Sequence, residues 1–259
     1  MATNDVVERE CVIKEGINIL DTHFSQDQIS IIVATKLHDA IKSRTKNPDP
    51  YRAMKDTEIA VARMLSHELK NNHNHGFTGL LRFAAMGNAI DFFRPIELVK
   101  QEMRQSISFA IDMSAEFETR LKSAGDILYL ADNAGEAFFD LPLVQWMRQF
   151  ARVTYVVKSA PVQNDITVGE LSRAGLTAEF DNVMTTGTAT PGIDFAQASA
   201  EFKRHFAAAD IVFAKGMGYY EALSELPSDG RILYCLKAKC QPVSDSLNVP
   251  LHSYVALLQ

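Results

Sequence analysis

Cysteine is scarce in this 259-residue chain: Cys11, Cys235 and Cys240 are an odd number with no C-x-x-C pair, which argues against a disulfide framework and a zinc ribbon. Their plain reading is as small buried hydrophobes. The N-terminus, MATNDVVEREC, has neither the basic start nor the apolar run of an export signal, and no stretch approaches the roughly 18 apolar residues of a membrane span. These absences set the expectation of a cytoplasmic protein without a membrane partner. An excess of basic residues is missing too. Lys and Arg number 26 against 32 Asp and Glu, a net charge of -6, so nucleic acid is not expected as a partner, whereas a small anionic ligand is compatible. Repeats and low-complexity segments are absent, and no feature bears on oligomeric state. What is present, 47% apolar and 22% charged residues, is ordinary for a soluble globular chain with one substantial core.

The chain divides into two halves with different periods. From Ser25 to about Ile111, apolar residues recur at helical spacing: Ile29, Ile32, Val33 and Ile41; Val61, Met64, Leu65 and Leu69; Ile96, Val99, Met103, Ile107 and Ala110. Ser25, Thr57 and Pro95 supply start signals, and residues 71–76, with His73 and His75, read as an Asn-rich loop. Residues 1–115 are therefore expected to be an all-helical N-terminal region. After Gly125 short apolar runs alternate with helical segments, the pattern of βαβ units. Strands are expected at 127–131, 153–157, 180–184, 211–214, 232–236 and 254–258, with helices near 135–150, 168–174, 195–207 and 219–226. The fold class this predicts is α/β, a Rossmann-like three-layer core over residues 116–259 with a parallel sheet, integrated with the helical region.

Ligands in an open parallel sheet sit outside the carboxyl ends of the strands, and here those positions are polar. Asp132-Asn133 follows the first strand, Lys158 and Asn164-Asp165 the second, Lys215-Gly216 the fourth, and Lys237 and Lys239 the fifth. Taken singly, the Asp and Asn residues read as helix caps or turns and Lys215 as a solvated lysine. Together they suit a divalent cation and a phosphate. Asp132, Asn133 and Asp165 offer hard oxygen donors, too few to enclose an ion, and the set prefers Mg²⁺ or Mn²⁺. The run 132–136 leads from strand into helix, where free N–H groups favour an anion, and Lys215 on a Gly-x-Gly turn would hold a phosphate. Asn88 and Asp91, three apart, are expected to share a helix face and meet ligand hydroxyls.

The runs ILYLADNAGEAFFD, VVKSAPVQNDIT, ADIVFAKGMGYYEAL and ILYCLKAKC, with the Gly-Asn segment MGNAIDF before them, resemble in this order the metal-dependent damage-control phosphatases, the family first catalogued as domain of unknown function 89. The resemblance spans roughly residues 80 to 245. It implies an α/β core, a cation held by Asp132, Asn133 and Asp165, and a phosphorylated small metabolite surrounded by Glu136, Asn88, Asp91 and Lys215, with Lys215 on the phosphate. Sugar phosphates and damaged cofactor precursors are the implied substrates, and Mg²⁺, Mn²⁺, Co²⁺ or Ni²⁺ the activators. The chain departs from the family at Tyr219, where Asn is usual, at Lys14, where a C-x-x-C would have its second thiol, and at Ser159-Ala160, where a glycine is common.

The function these observations predict is metal-dependent hydrolysis of phosphomonoesters, with Asp132 and Asp165 on the metal and water, Asn133 as neutral ligand and Glu136 as a general-base candidate. Attack through an aspartyl-phosphate on Asp132 stays open. The alternatives are a phosphometabolite-binding module without catalysis, and a methyltransferase on the same sheet edge, which the missing G-x-G-x-x-G turn disfavours.

Overall fold

The computed structural model describes residues 2–25, 28–70, 76–90 and 96–259, and among them are eleven α-helices and one seven-stranded sheet. Five helices come first: α1 (Val6–His23), α2 (Ser30–Thr45), α3 (Arg52–Leu69), α4 (Phe77–Gly87) and α5 (Ile96–Met103). Then follow β1 (Phe109–Asp112), α6 (Ser114–Ser123), β2 (Asp126–Leu130), a 3-10 turn (Ala134–Glu136), α7 (Ala137–Met147), β3 (Arg152–Val157), α8 (Val168–Arg173) and β4 (Val183–Thr185). The chain ends with α9 (Ala200–Ala208), β5 (Ile211–Lys215), α10 (Gly216–Leu223), β6 (Ile232–Lys237), α11 (Gln241–Leu247) and β7 (Tyr254–Leu258). Among the described residues no helix is long and apolar enough to cross a membrane.

The sheet order is β1-β7-β6-β5-β2-β3-β4, parallel throughout except that β7 runs antiparallel to β6. Side chains alternate faces along each strand. Ile127 and Tyr129 join the core beneath α4, α6 and α7, while Leu128 and Leu130 join the core that α9, α10 and α11 cover on the other face. Both faces are buried, which is why these strands read as continuous apolar runs rather than alternating ones. On the first face Tyr155, Tyr129 and Phe213 are neighbours in register and their rings stack, with centroids 5.4 and 4.8 Å apart. The three-layer α/β expectation holds.

Several local expectations need correction. Residues 109–112 are a strand, not the end of a helix: Ile107, Phe109 and Ile111 alternate at period two, a signal that the helical spacing of Ile107 and Ala110 masked. Among the described residues of 1–115 the regular elements are thus helices apart from β1, which is built into the sheet. The strand expected at 180–184 is the short β4, and α11 was not foreseen although Pro242 starts it and Asn248, with φ of 53°, stops it. α2 begins at Ser30, not beside Ser25, and α3 begins before Thr57. Pro95, Asp91, His73 and His75 lie outside the described residues.

Candidate active site

The chain passes from β2 to β3 on one side and later places β5 on the other, so the sheet's topological switch lies between β2 and β5. Ligands of open α/β sheets bind at such a point. A cavity of about 260 Å³ opens there, and Asn88, Asp132, Asn133, Asp165, Gly218 and Lys239 are on its wall. Asp132 and Asn133 stand just past β2. The loop after β3 is stapled alongside: Ala134 N–H donates to Asn164 O at 2.8 Å and Ile166 N–H to Asp132 O at 2.9 Å, pairing Asn133 with Asp165 across an isolated bridge. Opposite them, Gly216 opens α10 with φ of 76°, and a Cβ there would stand 1.9 Å from Asp132 Oδ2, so only glycine lets the turn pass beneath that carboxylate.

Amides orient the acids. Asn88 Nδ2 donates to Asp132 Oδ2 at 3.0 Å and to Glu136 Oε1 at 2.7 Å, and Asn133 Nδ2 donates to the same two oxygens at 3.1 and 2.7 Å. Because acceptors take the nitrogen of Asn133, its carbonyl oxygen is the end left to meet a cation. The bonds to Asp132 and Glu136 use both N–H donors of Asn88, leaving none for a ligand hydroxyl, and its Oδ1 accepts from Lys237 N–H at 3.0 Å. Asn88 stands as the C-terminal cap of α4, which ends at Gly87, and Asp91, expected to share its helix face, lies outside the described residues.

Two further expectations change. Lys215 is wholly buried, and its ammonium donates to Ala84 O at 2.8 Å and to Asp140 Oδ1 at 2.7 Å while ion-pairing Glu136 Oε2 at 2.8 Å. These two hydrogen bonds and the ion pair hold it in the fold beneath the site, off the cavity wall where a phosphate would sit. Burial opposes its charge, but Asp140 and Glu136 outweigh burial and raise its pKa. Glu136 is equally buried. Burial works against its charge, yet Lys215 and Lys239 hold its carboxyl below the ordinary value, and both its oxygens are engaged by Asn88, Asn133 and Lys215. Glu136 is therefore placed to position Asn88 and Asn133, not to take a proton from water. The N–H groups of Ala134 and Glu136 are likewise taken, by Asn164 O and Asn133 O, and so are not offered to the anion expected at this turn. The lysine on the cavity wall is Lys239.

Asp140 and Glu58 went unrecognised in the sequence, and Lys158 was placed past its strand without its partners. Asp140 shares Lys215 with Glu136, a pair legible in their spacing of four along one helical turn. Lys158, past β3, is buried with its ammonium on Tyr219 Oη at 2.8 Å and 3.5 Å from Asp165 Oδ2. Glu58 of α3 is buried behind the 3-10 turn, and no spacing within α3 marks it.

The acids on the cavity are crowded. Burial raises the Asp132 carboxyl well above the ordinary carboxylate range, and Glu136 and Asp165 add to the effect. Burial pushes Asp165 up to about 6 even though Lys158 pulls the other way. Asp165 Oδ2 is buried without a hydrogen-bond partner. Among the described residues no three His, Cys, Asp or Glu side chains form a metal-binding group, so a cation here needs the Asn133 carbonyl as its third protein donor. Two crowded carboxyls, one orphaned oxygen and an amide oxygen fit a hard divalent ion that keeps several water or substrate ligands.

Comparison with known proteins bears on this arrangement as a whole. A family model described as the damage-control phosphatase ARMT1-like domain matches residues 1–255. The damage-control phosphatase PH1575 of Pyrococcus horikoshii is 34% identical over 99% of this chain and 91% of its own length. A damage-control phosphatase of Archaeoglobus fulgidus is 30% identical over 95% of this chain and 88% of its own. The crystal structure of a DUF89 family protein from Pyrococcus horikoshii superposes with a TM-score of 0.89 at 32% identity, covering 99% of this chain and 92% of that one.

Proposed function

The chain belongs to the damage-control phosphatase ARMT1-like family, and from that premise we propose that it is a metal-dependent phosphatase acting on phosphomonoesters of small metabolites such as sugar phosphates. The observation that carries the reading is that Asp132 and Asp165, from the loops after two different strands, line one small cavity with Lys239 on the same wall.

Asp132, Asn133 and Asp165 would hold a divalent ion, Mg²⁺ or Mn²⁺ by donor type with Co²⁺ or Ni²⁺ as substitutes. Such an ion supplies Lewis acidity toward a phosphoryl oxygen and makes water a better nucleophile at neutral pH. The protein's own residues do the rest. Asn88 and Asn133 fix Asp132 Oδ2 from two sides, so its other oxygen is the one presented to ion, water or substrate. Lys239 and the N-terminus of α10 stabilise charge on the equatorial oxygens of the transferring group, taking the part assigned earlier to Lys215. The cavity of about 260 Å³ is of a size for a small phosphorylated metabolite.

The test is release of inorganic phosphate from p-nitrophenyl phosphate and a panel of sugar phosphates by EDTA-treated protein resupplied with each of the four ions. Asp132→Ala is expected to lower the rate roughly a hundredfold or more, the several kcal/mol that a cation contributes to a phosphoryl transition state. Release that ignores both EDTA and this substitution would refute the assignment.

A further inference from the structure

We propose that Tyr219, by tethering the Lys158 ammonium, keeps that ammonium off Asp165 and so sets how tightly the site holds a divalent ion. The inference rests on the reading above that Asp165 is a ligand of that ion, and it assigns work to two buried residues that the reading leaves idle.

Lys158, Asp165 and Tyr219 are all closed off from solvent. Around Lys158 Nζ stand three oxygens: Gly192 O, with which it makes a short hydrogen bond, Tyr219 Oη at 2.8 Å, and Asp165 Oδ2 at 3.5 Å. The first two distances are those of made bonds, whereas the third exceeds the roughly 2.7–2.9 Å of a charge-assisted bond to carboxylate. A buried ammonium thus stands beside a buried carboxylate and does not close on it. The orphaned oxygen of Asp165 is the very atom it faces.

The restraint comes from Tyr219. Its hydroxyl accepts from Lys158, and its ring centroid lies 4.0 Å from the same nitrogen, which adds a cation–π attraction. The phenol is fully buried, and its backbone follows the turn where Gly218 and Gly192 abut: a Cβ on Gly192 would be 2.1 Å from Gly218 O. Backbone contact of that kind fixes both Gly192 O and the start of the Tyr219 side chain. Lys158 is then anchored from two directions at a distance that favours a charged Asp165 without occupying its oxygen.

Removing the phenolic oxygen changes the balance. In Tyr219→Phe the ammonium loses one acceptor and the best remaining one is Asp165 Oδ2, less than 1 Å beyond bonding distance. Lys158 and a divalent ion then compete for one carboxylate. A residue filling the core without this task would have no such linkage to Lys158.

The experiment is Mn²⁺ binding to the whole chain without substrate, read by electron paramagnetic resonance of free Mn²⁺, for wild type, Tyr219→Phe, Lys158→Met and the double variant. Tyr219→Phe is expected to weaken Mn²⁺ binding about tenfold, the lower end for a residue that orients a ligand, and to change it less than about twofold when Lys158 is already Met. An unchanged affinity in Tyr219→Phe, or the same loss in both backgrounds, overturns the proposal. Wild-type chain that takes up no Mn²⁺ overturns the metal reading itself and this inference with it. Should Lys158→Met fail to fold, a crystal structure of metal-free Tyr219→Phe decides: Lys158 Nζ within about 3 Å of Asp165 Oδ2 supports the tether, and an unmoved ammonium refutes it.

Discussion

Lys215 and Lys239 each follow a strand of the same parallel set, and burial divides their work. Lys215 has two hydrogen-bond acceptors and an ion-pair partner at 2.7 to 2.8 Å and no exposed surface, whereas Lys239 lies on the cavity wall. Lys215→Met would strand Glu136 and Asp140 without their counter-charge. A loss of about 3–5 kcal/mol is expected in urea unfolding, as for other buried pairs broken on one side. A loss below about 1 kcal/mol would show that the two carboxyls take up protons at little cost. The sequence displayed both lysines but not which one the helices would cover. Lys215 is covered by α4, whose Ala84 carbonyl it meets 131 positions away, and no local pattern reports a contact of that range. Asp132 and Asn133 were legible because they stand just past a strand whose period was clear, and Asp165 because it lies in the loop after the next such strand.

At the scale of elements, α3 and α8 are joined behind the site by a buried charge cluster. Lys55 of α3 ion-pairs Glu170 at 2.6 Å, and Arg173 meets the same carboxylate oxygen at 2.7 Å. Glu170 also closes a capping box with Thr167, accepting from its backbone N–H at 3.0 Å. Burial works against the charge of Glu170, but Lys55, Thr167 and Arg173 outweigh burial and hold its pKa at about 2, against an ordinary 4.5. A depressed carboxyl stabilises the fold fully above the unfolded value and loses that contribution as pH falls through the folded one. Stability is therefore expected to decline between pH 4.5 and 2 by roughly 3 kcal/mol from this group. Glu170→Gln should flatten that segment of the curve, measured by denaturant melts at stepped pH, and an unaltered slope would assign the acid sensitivity elsewhere. The capping box was readable in Thr167-Val-Gly-Glu170. Lys55 was not, because a lysine among helical residues reads as solvent-facing until α8 is laid over it.

For the molecule as a whole, the strand order matters most. It places the ends of β2 and β5 side by side and so gathers Asp132, Asp165 and Lys239 from segments far apart in the chain. If the cavity takes a divalent ion as proposed, the ion binds only the folded chain. Mn²⁺ at a hundred times its dissociation constant should add about 2.7 kcal/mol and raise the melting temperature by a few degrees, an effect absent in Asp132→Ala. Calorimetry with and without EDTA checks it, and equal shifts in both proteins would place the ion elsewhere.

The pairing of β1 with β7 has a consequence for the time course of synthesis. Residues 109–112 find their parallel partner only at residues 254–258, and β1 has no other neighbour in the sheet. At roughly 5–20 residues per second on the ribosome, β1 waits on the order of ten to thirty seconds with both of its edges open. The five parallel strands can assemble during that wait. The edge of β6 closes only when β7 arrives, so the nascent chain is most prone to pair with its neighbours in the interval before β7 is made.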